Sequence, residues 1–159
     1  MDYEIKKCEY DELVTVAHMY NQLSYELKEI SGDEYFDFSQ LSDHTMLRVL
    51  RNAIKECDLI IYVAKCQGKV IGFISGSTKP CFLPASNTKE VGYIEGAFVE
   101  ERCRRSKVLS SLEEVLCEEF KRRGVYFIEL NILQNNEVAR STWMSRGYET
   151  FREQMRKKI

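Results

Sequence analysis

The chain has 159 residues, 23 of them basic and 25 acidic, and its net charge of −2 gives no global attraction to nucleic acid or to an anionic membrane. Its length predicts a single domain over residues 1–159, because one domain takes roughly 150 residues. The longest apolar run is only residues 59–64, and residues 1–10 lack the apolar stretch of a signal peptide, so we expect a cytoplasmic protein with no membrane segment.

The first half of the chain predicts a strand, two helices and a hairpin. Apolar side chains recur at helical spacing in two stretches, and an irregular acidic stretch separates them. Two runs rich in β-branched and aromatic residues then flank Gln67-Gly68-Lys69, which indicates an antiparallel hairpin. The predicted elements are a strand at 3–8, a helix from a cap at Asp11 to about Ile30, a helix that follows Ser42 or Asp43, and strands at 59–66 and 70–77.

The second half alternates strands with helices. A stretch with two prolines and no periodicity predicts a loop before the next strand. The predicted elements are a loop at 79–90, a strand at 91–99, a helix at 106–123 closed by Gly124, a strand at 125–133, a helix from Asn135 or Asn136 to Gly147, and a strand at 148–155. The order β-α-α-β-β-β-α-β-α-β predicts an α/β (α+β) fold with a mixed sheet flanked by helices.

The cysteines and histidines are few and scattered. Six cysteines contain no C-x-x-C pair, and only two histidines accompany them, so we predict no metal site. An even number of cysteines is compatible with disulfides, but a chain of this length without a secretory segment more often keeps its thiols reduced. A cysteine nucleophile stays open, although no histidine lies nearby in the sequence to support one.

The junction between the strand at 91–99 and the following helix is rich in cations. Arg102, Arg104, Arg105 and Lys107 fall within six residues, directly before the first turn of the helix. The unpaired N–H groups and the positive dipole end of a helix N-terminus favour phosphate, and flanking cations add to that attraction. The alternative is an ordinary solvated basic face.

Two motifs in this half together resemble the GNAT family of N-acetyltransferases. The stretch Ile94-Glu95-Gly96-Ala97-Phe98-Val99, followed by the basic run 102–109, resembles the acetyl-CoA signature of that family. Downstream, the pattern Asn136-x-x-Ala139-x-x-x-Trp143-x-x-x-Gly147-Tyr148 resembles its late motif. The resemblance covers residues 59–151, and the two early helices match the family's variable acceptor region by position only.

The resemblance implies a GNAT-like, mostly antiparallel sheet and direct transfer of an acetyl group from acetyl-CoA to a primary amine. It assigns the acetyl carbonyl and the pantetheine arm to the N–H groups of Ala97 and Val99. Asn136 either hydrogen-bonds the cofactor arm or simply caps its helix. The implied cofactor-binding residues are Ala97, Phe98, Val99, Arg104, Arg105, Ser106, Lys107, Val108, Leu109 and Asn136.

The chain departs from the family pattern in residues 104–109, here called the phosphate loop. Lys107 and Leu109 stand where the family has glycine and then glycine or alanine, and Arg105 stands where it often has glycine. Glycine lets the backbone approach a pyrophosphate closely, so these larger residues narrow the site. The N–H donors survive the replacements, and the added cations supply charge-assisted hydrogen bonds.

Glu95 is the candidate general base. An alkyl amine has a pKa of about 10.4, so only about one molecule in a thousand is neutral near pH 7 and a base must take its proton. Regular strand alternation puts Glu95 on one face with Tyr93, Ala97 and Val99. The alternatives are an exposed strand carboxylate, or one that binds a cationic substrate without moving a proton.

The candidate general acid differs from that of the family. The family often has a tyrosine where this chain has Trp143, and an indole cannot protonate a departing thiolate. Trp143 is therefore interpreted as a packing residue or a wall of the acetyl pocket. Tyr148 is the remaining candidate acid, and its alternative role is in the core.

The acceptor region predicted by position is acidic. Residues 26–43 carry six acidic side chains against Lys28 alone, which predicts a surface that attracts a cationic acceptor of the aminoglycoside or polyamine kind. The alternative is a solvated acidic loop. The predicted substrate-binding residues are Asp33, Glu34, Asp37, Tyr93 and Trp143.

A small-molecule amine is thus the expected partner, and a homodimer stays open. The main alternative is a noncatalytic acyl-CoA-binding or sensing module that kept the fold. A nucleic-acid patch formed by residues 102–107 and 121–123 is disfavoured by the net charge and by the lack of interleaved aromatic residues.

Overall fold

The computed structural model describes residues 2–38 and 42–159, and within them the chain forms five strands and four helices. The strands are β1 Glu4–Lys7, β2 Ile60–Cys66, β3 Lys69–Pro80, β4 Glu90–Val99 and β5 Ile128–Glu129. The helices are α1 Leu13–Ser31, α2 Asp43–Glu56, α3 Val108–Arg122 and α4 Glu137–Met144, with short 3₁₀ turns at Glu34–Phe36 and Glu101–Cys103.

The strands form one sheet in the order β1-β2-β3-β4-β5. All neighbours are antiparallel except β4 and β5, which run parallel. The predicted fold class, a mixed and mostly antiparallel sheet flanked by helices, is confirmed. Its one parallel pair, β4 with β5, lies within the segment that carries the resemblance.

Two apolar cores lie on opposite faces of the sheet. On one face, Val16 and Ala17 of α1 pack against Phe73 and Phe98 of the sheet. On the other face, α3 contributes Leu112, Leu116 and Phe120 to a cluster with side chains of β2, β3 and β4. Successive strand residues alternate between these faces, so the cluster a residue joins shows which face it occupies.

Of the N-cap predictions for the first two helices, the one for α2 is confirmed and the one for α1 is wrong. Ser42 caps α2, its Oγ accepting a hydrogen bond from the Thr45 N–H at 3.1 Å. The predicted cap at Asp11 is wrong, because α1 is preceded by Glu12, whose carboxylate instead accepts from the Glu9 N–H at 2.9 Å. The glutamate reaches back one turn and satisfies a donor outside the helix.

The hairpin is confirmed. Gln67 and Gly68 both have positive φ (50° and 77°), as a two-residue hairpin turn with matching strand twist requires. Lys69 belongs to β3 and pairs with Cys66, so the turn is one residue shorter than predicted. At the far end β3 and β4 extend until Pro80 pairs with Glu90, which reduces the predicted loop to residues 81–89.

The end of the chain differs most from the prediction. The strand predicted at 125–133 is reduced to Ile128–Glu129, and the described residues 148–155 form no strand. The helix predicted at 106–123 begins two residues later, because Lys107 has a left-handed backbone. Residues 148–159 instead make side-chain contacts with distant parts of the chain, which sequence periodicity does not record.

Two further observations concern the described residues as a whole. None of their helices is long and apolar enough to cross a bilayer. All six cysteines are unpaired. Burial raises the pKa of the Cys8 thiol to about 12 and that of the Cys117 thiol to about 11, so both are protonated and poorly nucleophilic at neutral pH.

Candidate active site

Glu95 lies at a β-bulge in β4. Ser75 of β3 pairs with Gly96, while the next residue, Gly76, pairs with Ile94. Among the described residues Glu95 therefore has no cross-strand partner. A bulge of this kind redirects a side chain and is frequent beside active sites.

The bulge corrects the predicted faces of β4. Ala97 and Val99 pack with the cluster on the α3 face, as Ile94 does on the other side of the bulge. Glu95 contacts Ser77 instead, and Ser77 is the cross-strand partner of Tyr93. The expectation that Glu95 shares a face with Ala97 and Val99 is wrong, because one extra residue shifts the alternation between them.

Two neighbours from β3 hold the Glu95 carboxylate. The Ser77 hydroxyl donates to Oε1 at 2.7 Å, and the Lys79 ammonium approaches the same oxygen at 2.9 Å. The Lys79 nitrogen also lies 3.7 Å from the centre of the Tyr93 ring, in a cation–π contact. The Glu95 side chain remains 29% exposed, so the carboxylate is held in place and still accessible to solvent.

Sequence reasoning missed Ser77 and Lys79. Both lie on the antiparallel neighbour of β4, and a cross-strand register of β3 against β4 would have placed them near Glu95. Burial, and then the negative charge of Glu95, raise the pKa of Tyr93 above its ordinary value. Tyr93 is therefore a neutral aromatic surface at the site.

Tyr20 of α1 covers the bulge on the face of the sheet that packs against α1. Its hydroxyl hydrogen-bonds Ser75, its ring lies 4.5 Å from that of Phe73, and burial raises its pKa. A Cβ on Gly96 would lie 2.8 Å from the Tyr20 ring, so glycine is needed here for the close approach. Tyr20 was predicted only as a helix-face residue, and the structure places it against the proposed reaction centre.

The edge of β4 that faces β5 is open beyond the bulge. The parallel pairing joins only Gly92 to Ile128 and Tyr93 to Glu129. The Glu100 N–H donates to the Ile71 carbonyl of β3 at 2.9 Å. Because successive N–H groups of a strand point to opposite edges, those of Ala97 and Val99 point away from β3 into the gap. We call this gap, beside residues 94–99, the wedge.

The phosphate loop keeps a conformation that suits glycine although it contains none. Arg105 and Lys107 have φ values of 63° and 64°, in the left-handed region. This conformation costs a residue with a side chain about 1–2 kcal/mol relative to the right-handed one. Ser106 Oγ donates to the Cys103 carbonyl at 2.5 Å and ties the loop to the preceding turn. Strain of this kind is frequently retained at binding sites.

The loop cations differ in their partners. Arg104 donates to the Val99 carbonyl at 3.0 Å and pairs with Glu26 of α1, also at 3.0 Å. Arg105 and Lys107 are exposed and form no ion pair within residues 2–38 and 42–159. They flank the N-terminus of α3, which receives no side-chain cap from the described residues. Val108 is buried at this terminus, and Leu109 packs half-buried against the α3 cluster. This arrangement can bind an anion.

The late-motif residues lie on the α3 side of the sheet. Asn136 caps α4, its Oδ1 accepting from the Ala139 N–H at 3.0 Å, and its contact with the cofactor arm stays a prediction. Trp143 is buried with its ring 5.2 Å from that of Tyr148. Burial, and then the negative charge of Glu113, raise the pKa of Tyr148 above its ordinary value. Tyr148 therefore lies with α3, whereas Glu95 contacts β3 on the other face.

The three acidic residues predicted to bind the acceptor form an acidic lip at the turn after α1. We use this name for Asp33, Glu34 and Asp37. Glu34 pairs with Lys158 at 2.8 Å, and Asp37 pairs with Lys28 at 3.4 Å. Asp33 pairs with Arg156, whose guanidinium also lies 4.9 Å from the Tyr35 ring centre. Each carboxylate of the acidic lip is therefore paired with a cation of the same chain.

Residues 151–159, here called the basic segment, supply two of those cations. The start of the segment is anchored by Phe151, whose ring lies 5.5 Å from that of Phe82 in the loop between β3 and β4. Arg152 stacks on the same Phe82 ring at 4.9 Å and approaches Glu129 of β5 at 3.7 Å. The basic segment thus runs from the loop before β4 to the acidic lip.

The comparison with protein families gives one match. The model described as the acetyltransferase (GNAT) family matches residues 24–148, which is more than half of the chain and includes both sequence motifs. No curated protein matches the chain in sequence.

Similar folds occur among solved acetyltransferases. An acetyltransferase of Trypanosoma brucei is 21% identical, with a TM-score of 0.71 over 99% of this chain and 100% of that one. An aminoglycoside antibiotic 6'-N-acetyltransferase of Acinetobacter baumannii is 16% identical, with a TM-score of 0.78 over 99% of both chains. A predicted acetyltransferase of Clostridium acetobutylicum, solved with acetyl-CoA, is 16% identical, with a TM-score of 0.76 over 99% and 96%.

Proposed function

Since the chain belongs to the acetyltransferase (GNAT) family, we propose that it transfers the acetyl group of acetyl-CoA to a primary amine of a small cationic acceptor. The observation that carries the proposal is the β4 bulge, which holds the Glu95 carboxylate directly before the open edge of the strand. A base and a set of backbone donors then lie within one short segment.

Acetyl-CoA would lie in the wedge. The N–H groups of Ala97 and Val99 would bind the thioester carbonyl and the pantetheine arm, and Phe98 shapes the strand from the opposite face. The pyrophosphate would lie at the N-terminus of α3, where Arg105 and Lys107 have no competing partner in the described chain. The acetyl-CoA in the Clostridium acetobutylicum structure supports this cosubstrate.

The remaining loop residues shape this site. Arg104 is held by Glu26 and fixes the loop against α1, while Ser106 holds it against the preceding turn. Val108 and Leu109 anchor the first turn of α3 in the core. Asn136 caps α4 with its Oδ1, which leaves its side-chain N–H groups as the donors that could reach the cofactor arm.

Glu95 would act as general base. It accepts the proton from the acceptor ammonium, and the neutral amine attacks the thioester carbon. An oriented backbone N–H in the wedge then stabilises the negative charge on the tetrahedral oxygen. Collapse of the intermediate breaks the carbon–sulfur bond, and the coenzyme leaves as a thiolate, which is a tolerable leaving group because the pKa of a thiol is about 8.5. The thiolate then takes the second proton of the amine, which yields the amide and free CoA.

Tyr148 stays a prediction as general acid, and its surroundings favour packing. Its pKa is raised by burial and by Glu113, so it donates its proton less readily than an ordinary tyrosine. Trp143 packs against it and would close the acetyl pocket. We propose that expulsion of the thiolate does not depend on Tyr148.

The acceptor would enter between the acidic lip and the exposed side of Tyr93. A cationic amine is attracted by Asp33, Glu34 and Asp37, but it must compete with Arg156, Lys158 and Lys28 for them. The aminoglycoside enzyme of Acinetobacter baumannii, which shares this fold, supports a polyamine of this kind as acceptor.

A single experiment tests the function. Thermal unfolding is measured with and without acetyl-CoA, and thiol release is then followed across a panel of aminoglycosides, polyamines and neutral amines. We expect stabilisation by acetyl-CoA and thiol release with the polycationic amines. Stabilisation without thiol release for any amine would instead support the noncatalytic acyl-CoA-binding module, which the non-glycine residues of the phosphate loop favour.

A further inference from the structure

We infer that Lys79 is itself a site of acetylation by the chain's own acetyl-CoA. This inference rests on the proposed function, because it needs a bound thioester and Glu95 as base. It concerns a different substrate, namely a lysine of the same chain in place of an external amine.

The geometry places the Lys79 nitrogen where an acceptor nitrogen must lie. A general base takes a proton across about 2.6–3.2 Å, so the reacting amine lies within that distance of the Glu95 carboxylate. The Lys79 nitrogen lies 2.9 Å from Glu95 Oε1. Lys79 therefore meets the distance requirement for giving its proton to Glu95, as an external amine would have to.

The surroundings orient this amine and keep it accessible. The Lys79 nitrogen lies 3.7 Å from the Tyr93 ring centre. The Ser77 hydroxyl donates at 2.7 Å to the same Glu95 oxygen that Lys79 contacts, and so holds it in place. The Lys79 side chain is nevertheless 44% exposed, so a thioester can approach it from the solvent side. Holding the two reacting groups in one geometry converts a slow bimolecular acetylation into an effectively unimolecular step.

The reaction balances without a further reagent. Glu95 takes a proton from the Lys79 ammonium, the nitrogen forms a bond to the acetyl carbon, and the carbon–sulfur bond breaks. The coenzyme leaves as thiolate and collects the second amine proton, which yields an amide and free CoA. The amide carries no charge, so the ion pair with Glu95 is lost and the carboxylate becomes available to an external amine.

Other lysines provide an internal comparison. Lys28, Lys121 and Lys158 also pair with carboxylates, but with Asp37, Glu118 and Glu34 rather than with Glu95. Lys69 is exposed at the hairpin turn and is remote in the sheet register from Glu95. Acetylation at Lys69 therefore measures the chemical background.

The test is incubation of the full chain with acetyl-CoA and no added amine, followed by peptide mass spectrometry of every lysine over time. We expect acetyl occupancy at Lys79 to exceed that at Lys69 at least tenfold. Glu95→Gln should lower the rate at Lys79 at least tenfold and leave Lys69 unchanged. An excess of desulfo-CoA, which lacks the sulfur that carries the acetyl group, should suppress acetylation of Lys79 but not of Lys69. This test uses the unmodified sequence and needs no variant.

Equal occupancy at Lys79 and Lys69, or a Lys79 rate that ignores both Glu95→Gln and desulfo-CoA, would overturn the inference. Thiol release with an added amine but no acetyl group on Lys79 would overturn it too, while leaving the proposed function intact. If acetyl-CoA neither stabilises the chain nor releases thiol with any amine, the proposed function fails and this inference fails with it.

Discussion

The phosphate loop and the acidic lip are both strongly charged, and the structure treats their charges in opposite ways. Arg105 and Lys107 of the loop stay exposed and form no ion pair with the described residues, at a helix terminus that can bind an anion. The carboxylates of the lip are all paired with cations of the same chain.

This difference teaches that a run of charge in a sequence does not measure the attraction that a ligand experiences. Arg105 and Lys107 are available to a ligand because no carboxylate of the described residues pairs with them, while Glu26 pairs with Arg104. Asp33 and Glu34 are screened because Arg156 and Lys158 of the basic segment fold back onto them. Asp37 is screened by Lys28 of α1. A ligand meets the loop directly, but it must displace a segment of the protein to reach the lip.

The largest effect is expected at Glu95, which belongs to neither charged region and contacts Ser77 and Lys79 instead. Glu95→Gln should lower kcat by about a hundredfold or more, because a positioned general base contributes that much. Trp143→Phe, which keeps an aromatic wall, should lower it far less. Steady-state thiol release with folding checked by circular dichroism gives both values, and the opposite ranking would remove Glu95 from the role of base.

The next effect concerns the loop cations. Replacing Arg104, Arg105 and Lys107 by alanine should weaken acetyl-CoA binding about tenfold or more, because two phosphate-directed cations are lost together with the Arg104–Glu26 pair that fixes the loop. The matched control neutralises the lip with Asp33→Asn, Glu34→Gln and Asp37→Asn, which should leave acetyl-CoA affinity unchanged. Calorimetric titration of both triple variants tests the comparison, and equal losses in the two would refute it.

A third prediction separates the backbone of the loop from its charge. Lys107→Gly and Lys107→Ala remove the same cation, but only glycine adopts a φ of 64° without cost. The glycine variant should be more stable than the alanine variant by about 1 kcal/mol. Urea unfolding of the pair measures this difference. Equal midpoints would show that the left-handed conformation carries no strain here.

The smallest effect is expected from freeing the lip. The double variant Arg156→Ala, Lys158→Ala should lower KM for a polycationic amine about threefold at low salt, because exposed ion pairs are weak and the amine no longer competes with them. Lys157→Ala is the matched control, since Lys157 forms no ion pair with the described residues. An unchanged or raised KM in the double variant would mean that the lip does not bind the acceptor.

Much of the fold was predictable because its signals are local. The hairpin follows from two β-rich runs around Gln67 and Gly68, and α3 follows from apolar residues at helical spacing before Gly124. The prediction of a strand at 148–155 was wrong. Its alternation is real, but Phe151 and Arg156 make contacts with residues more than sixty positions away, and no pattern within the segment shows this.

The candidate site was predictable in its residues rather than in its geometry. The family resemblance pointed to Glu95 and to the loop cations, and the structure places them at the bulge and at the start of α3. The contacts with Ser77 and Lys79 depend on strand register, and the position of Tyr20 over Gly96 depends on tertiary packing. The bulge itself left no mark in the hydrophobic pattern, so the face of Glu95 was misassigned.

The bulge makes Glu95 a residue that the sheet can lose. If codon 95 were deleted, Ile94 would still pair with Gly76 and Gly96 with Ser75, and the ladder would run without interruption. Ala97, Phe98 and Val99 would each keep their present face and their place in the cores. An in-frame deletion at this position should therefore yield a folded protein without its proposed base. The fold could then be retained in a relative that has lost the catalytic residue.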